Sequence, residues 1–73
     1  MDNREKRLLV ALAKMADHWL YRRQQGVLDS DAMDAGEHAI LILAEYGLVE
    51  ADNRSRILGR WTEAGRELLK TSD

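Results

Sequence analysis

The side chains able to do chemistry are few. His18 and His38 are the only histidines, cysteine is absent, and Ser30 and Ser55 have no histidine at a useful spacing. Without cysteine there is no thiolate nucleophile, no disulfide and no thiolate metal site. His18 adjoins Asp17 and His38 adjoins Glu37, but adjacent residues on a helix point apart. Arg22, one turn beyond His18, repels a cation. A metal centre needs three or four convergent ligands. The chain is therefore expected to hold no metal and no cofactor, and it does not read as an enzyme. Binding chemistry remains. Arg22 and Arg23 close the first periodic segment, and Arg54, Arg56 and Arg60 fall in a later turn-and-strand stretch. Arginines grouped this way suit phosphate oxygens, which position a protein on double-stranded DNA without reading its sequence. A second set is Asp34, Glu37, His38, Leu41 and Glu45, spaced to share one helix face. Three carboxylates beside a leucine suit a protein partner better than base edges, because they meet phosphate repulsion.

Charge does not decide between these partners. Eleven basic residues face thirteen acidic ones, for a net charge of -2. That balance does not favour strong non-specific nucleic-acid binding, yet it leaves room for a local basic patch. The 73 residues form a single domain, 1–73, whose core is marginal at this size. Extra stability must come from good packing or from a partner subunit. A hydrophobic fraction of 45% is that of a globular chain. The longest strongly apolar run, Ala39 to Ala44, falls far short of the ~20 residues that cross a bilayer. Met1 to Glu5 lacks the apolar region of a secretory signal. No membrane partner is expected, and a cytoplasmic location is.

The elements that must position these groups follow from periodicity. Leu8, Leu9, Leu12, Met15, Ala16, Trp19 and Leu20 recur at helical spacing and predict a long first helix, Asn3 to Gln25, stopped by Gly26. Its opposite face, Arg7, Ala11, Lys14, His18 and Arg22, is basic. Asp29-Ser30-Asp31 suits an N-cap, so a second helix is expected from Asp31 to Tyr46, with Gly47 beyond its end. A capping pattern at Asp34 to Glu37 offers a break there. Leu48 to Ala51 and Arg56 to Trp61 flank the turn formers Asp52 to Ser55 and predict a hairpin. Thr62 caps a closing helix, Glu63 to Thr71, with Leu68 and Leu69 inward. Leu12, Leu43, Trp61 and Leu68 are expected to share one core, and Trp19, like Trp61, is expected to fill it rather than stack on bases. The first helix is long for so small a domain. Its apolar stripe widens at Val10 and Tyr21, which points to a two-fold homodimer through that helix.

The stretch AILILAEYGLVEADNRSRILGRWTEAGRELL, Ala39 to Leu69, resembles the second half of winged helix-turn-helix regulators of the MarR and PadR type. The resemblance rests on a helix ending in L-x-x-x-G-L-[IV], here Leu43 to Val49, and on [LW]-T-x-x-G-x-x-L, here Trp61 to Leu68. It implies an α+β fold, a small winged helix: a long first helix, a second helix, a two-stranded wing hairpin and a closing helix. It also implies a DNA-binding role in transcription regulation. Asp34 to Tyr46 would be the recognition helix, with His38 near the groove and Arg54, Arg56 and Arg60 on the wing. Two departures stand out. Only Val27 to Met33 could supply the helix that normally precedes the recognition helix. Separate dimerisation helices are missing, unless the first helix serves. The alternative is a winged-helix module that contacts protein through the acidic face and binds no DNA.

Overall fold

Asp2 starts the first helix: its carboxylate accepts the Glu5 backbone N–H at 2.7 Å. This helix, α1 (Asn3–Trp19), opens a computed structural model that describes residues 2–53 and 56–71. Strands β1 (Tyr21–Arg22) and β2 (Val27–Asp29), a 3-10 turn (Ser30–Ala32) and helix α2 (Gly36–Glu45) follow. Strands β3 (Val49–Asn53) and β4 (Ile57–Trp61) and helix α3 (Glu63–Leu69) complete the order. The chain is a small α+β domain with three α-helices and one four-stranded antiparallel sheet in the order β1-β2-β4-β3.

The expected hairpin forms, with Val49 opposite Trp61 and Asn53 opposite Ile57. The sheet nevertheless has four strands where two were expected. Of the added pair, β1 comes from the end of the expected first helix, which stops at Trp19 rather than Gln25, and β2 from the segment after Gly26. Arg22 to Gln25 favour helix by composition but carry no apolar side chain to bury. Pairing Tyr21 with Leu28, and Leu28 with Gly59, buries Leu28 completely instead, and tertiary burial outweighs propensity of a few tenths of a kcal/mol per residue. Gly26 therefore does not stop the helix; it is the left-handed residue (φ +70°) of the β1–β2 turn.

The expected helix from Asp31 to Tyr46 is likewise divided. Asp29 caps the 3-10 turn, accepting from the Asp31 N–H at 3.0 Å. Ala35, at φ +68°, breaks the chain direction before α2. The Val27 to Met33 segment thus supplies a buried strand and one tight turn, not a full helix. At the far end of α2, Leu48 N–H bonds to the Leu43 carbonyl and Gly47 N–H to the Ala44 carbonyl, both at 3.0 Å. This is a Schellman stop, with Gly47 left-handed as the sequence implied.

Leu9, Ala13, Ala16, Leu20, Leu28, Ile40, Leu43, Leu48, Val49 and Ile57 form the core, and Leu12, Trp61 and Leu68 pack against it half-buried. Of the expected common core of Leu12, Leu43, Trp61 and Leu68, Leu43 is fully buried and the other three lie half-buried against it. The expected inward stripe of α1 is displaced by about one residue. Leu8, Met15 and Trp19 are 67%, 56% and 60% exposed, while Val10 and Ala13 are buried. Trp19 is therefore not a core residue. Thr62 ties the closing segment together: its hydroxyl donates to the Gly47 carbonyl at 2.7 Å and accepts the Gly65 N–H at 3.1 Å.

Candidate functional site

The described arginines of the hairpin, Arg56 and Arg60, do not form one free cationic group. Arg56 donates from Nε to Asp29 Oδ1 at 3.0 Å, and the same nitrogen lies 3.8 Å from Asp31 Oδ2. Asp29 is buried. The Asp31 backbone N–H holds its carboxyl below the ordinary range, burial opposes this, and Arg56 and then Arg22 add to the lowering. Arg56 is thus committed to closing the start of the 3-10 turn onto β4. Arg60, on β4, is exposed and stands opposite Glu50 in the strand register. Arg22, on β1, and Arg23, in the following turn, are exposed. Arg23 shares a shallow hollow with Lys14, Asp17 and His18. Arg54 lies outside the described residues.

The acidic set behaves as a unit. Glu37, His38, Leu41 and Glu45 project from α2, all exposed, with Asp34 exposed just before its start. Leu41 is 37% exposed and is not alone: Ile42 beside it is 42% exposed and Tyr46 41%. Tyr46, just past the end of α2, does not enter the core. It lines a groove with Leu8 and Leu12 of α1, and its hydroxyl donates to Glu5 Oε2 at 2.5 Å. That carboxylate raises the phenol above its ordinary value, with desolvation adding to the effect.

Sequence reasoning found a surplus of apolar residues on α1 but placed it on the wrong side. Leu8, Leu12, Met15 and Trp19 follow one another at spacings of four, three and four, so they form one stripe. Leu12 is half-buried and the other three are exposed. Glu5, Leu8, Leu9, Leu12, Ile42 and Tyr46 line a groove where this stripe meets α2. The signal was available: α1 carries two adjacent stripes at helical spacing, and a domain with one short sheet covers one of them. The Trp19 ring stands edge-on to His18, 4.7 Å away at 85°, rather than under other core side chains. The basic face of α1 forms the outer border, where Arg4, Arg7 and Lys14 surround a hollow floored by Leu8 and Ala11.

Trp61 is the contrasting case. It is half-buried against the core, and its Nε1 donates to Asp17 Oδ1 at 3.1 Å, linking β4 to α1. Among the described residues, no three His, Asp or Glu side chains converge as metal ligands, and no helix is long and apolar enough to cross a membrane. In comparisons with protein-family models, curated proteins and solved structures, nothing matches this chain.

Proposed function

We propose that the chain is a protein-contact module, built on a winged-helix-like plan, that works through the α1–α2 face and not through DNA. One observation carries the reading: an exposed apolar surface of Leu8, Met15, Trp19, Ile42 and Tyr46 runs along two packed helices. Contiguous apolar surface of this kind, rimmed by polar groups, marks a protein interface. The exposed face of α2 next to it carries Glu37, His38, Leu41 and Glu45, with Asp34 just before the helix, where a groove-reading helix would carry Arg, Lys, Asn or Gln. The pairing of Arg56 with Asp29 and the placing of Arg60 opposite Glu50 also reduce the cationic charge that the wing could give to phosphates.

The test is a titration of a fluorescently labelled duplex with the protein at physiological salt. The expected affinity is weaker than ~100 μM, beyond the weak end of ordinary non-specific binding. Binding below 1 μM that weakens steeply with added salt, and weakens again in Arg60→Ala, would overturn the protein-contact reading.

A further inference from the structure

We propose that the basic flank of α1, on the side of the helix turned away from the α1–α2 face, is a second docking surface and takes a short acidic segment of a partner protein. The proposal goes beyond the protein-contact reading and shares only Leu8 with the apolar face described there. Arg7, Ala11, Lys14 and His18 follow one another at spacings of four, three and four, so they form one row. The row lies one residue, roughly 100° around the helix, from the apolar stripe. All four side chains are exposed, as is Arg4 beside them.

The flank holds two adjoining hollows. Arg4, Arg7 and Lys14 surround the first over Leu8, Val10 and Ala11. Lys14 also joins Arg23 in the second, with His18, Tyr21 and Leu69. The charge is one-sided. Among the described residues, none of Arg4, Arg7, Lys14 and Arg23 forms an ion pair. The two carboxylates of α1 are turned to other elements. Glu5 accepts the Tyr46 hydroxyl, and Asp17, which lines the second hollow, accepts the Trp61 Nε1–H.

Charge and width select the partner. Free cations complement an anionic group, and complementary potentials steer and register such an encounter. The strip is one helix wide, while the chain as a whole carries a net charge of -2. A duplex or an anionic bilayer is broader than the strip and also meets the surrounding negative charge. A single acidic segment meets the strip alone. The floors of the hollows are carbon, from Leu8, Val10 and Ala11 in one and Leu69 in the other. Carboxylates interleaved with apolar side chains match cations over such floors better than an unbroken row of phosphates does. From Arg4 to His18 the helix rises about 21 Å, a length that about six or seven extended residues span.

Fluorescence anisotropy of a labelled peptide, four repeats of Glu-Glu-Leu, titrated with the whole chain at physiological salt, tests this. A Kd on the order of 100 μM is expected, since each exposed pair adds little, and added salt is expected to weaken it further. Arg7→Glu with Lys14→Glu, both at exposed positions, is expected to weaken binding roughly tenfold with an unchanged circular dichroism spectrum. Lys14→Ala is expected to weaken it by a smaller factor. Ile42→Ser, on the α1–α2 face, and Arg60→Glu, on the sheet, are expected to leave it unchanged. No binding up to ~1 mM chain overturns the proposal, as does equal binding of a peptide of Lys-Lys-Leu repeats, or binding that survives the double variant. Tighter binding of a single-stranded oligonucleotide or of phosphatidylserine vesicles than of the acidic peptide overturns it in favour of that partner. None of these results depends on Ile42 and Tyr46, so the α1–α2 contact reading stands or falls separately, by the duplex titration.

Discussion

Gly65 sits where two opposing effects can be weighed. It lies in α3 and is buried against the Leu48 backbone. On propensity alone, Gly65→Ala in a helix interior gains about 0.8–1.0 kcal/mol. The added Cβ, however, would fall inside the Leu48 carbonyl oxygen and stand 3.0 Å from the Leu48 carbonyl carbon and 2.8 Å from Trp61 Cε3. Neither neighbour gives way easily. The Leu48 carbonyl accepts the Thr62 N–H at 3.0 Å, and Trp61 is anchored through Asp17. Overpacking against such atoms costs about 3 kcal/mol, the upper end of the usual range, so the net effect is a loss of about 2 kcal/mol. The unfolding entropy of a chain of this length is about 0.15 kcal/mol/K, so Tm should fall by roughly 13 °C. Thermal melts followed by circular dichroism measure it, with Ala64→Gly as the control. Ala64 is the exposed neighbour, and its change should lower Tm by roughly 6 °C through propensity alone. If Gly65→Ala raises Tm while Ala64→Gly lowers it, propensity governs both sites and the packing argument is wrong.

Other outcomes follow from single contacts. Leu43 is fully buried, so Leu43→Ala should cost about 3–5 kcal/mol in urea titration; a loss under about 1 kcal/mol would contradict its place in the core. Asp29 has a lowered pKa in the folded state, so its ionised form contributes stability above the unfolded value, and this is lost as pH falls through the folded one. The stability gap between the parent chain and Asp29→Asn should be constant from neutral pH down to about pH 4 and should close below it; a gap that grows on acidification would have the wrong sign. Glu5 raises the Tyr46 phenol, so Glu5→Gln should lower the alkaline midpoint of the phenolate absorbance, and an unchanged midpoint would mean that the hydroxyl is not held by Glu5.

What was legible in the sequence was local. Thr62 and Asp29 read as caps, Gly47 as a helix stop, and the two runs around Asp52 to Ser55 as a hairpin, because each signal lies within a few residues of its effect. The β1–β2 pair was hidden, since strands of two and three residues are too short to show alternation. The reason that Leu28 is extended is Gly59, far along the chain. The face of α1 was also ambiguous. Leu8, Met15 and Trp19 and the buried Leu9, Ala13, Ala16 and Leu20 are stripes about one residue apart, and only the positions of α2 and the sheet decide between them. Among the site residues, the acidic set on α2 was placed correctly as an exposed face. The intramolecular commitment of Arg56 could not be read, because its partner Asp29 is twenty-seven positions away.

The strand order has a consequence for how the molecule assembles. β1 pairs with β2 and β3 with β4 across short turns, while β2 meets β4 only after the 3-10 turn, α2 and β3 have intervened. Hairpins and helices form in microseconds, but closing a segment of about thirty residues costs more entropy. Neither two-stranded piece is more than marginally stable alone. The Leu28–Gly59 junction is therefore the step that joins two short-range halves into one sheet, and its closing couples their folding.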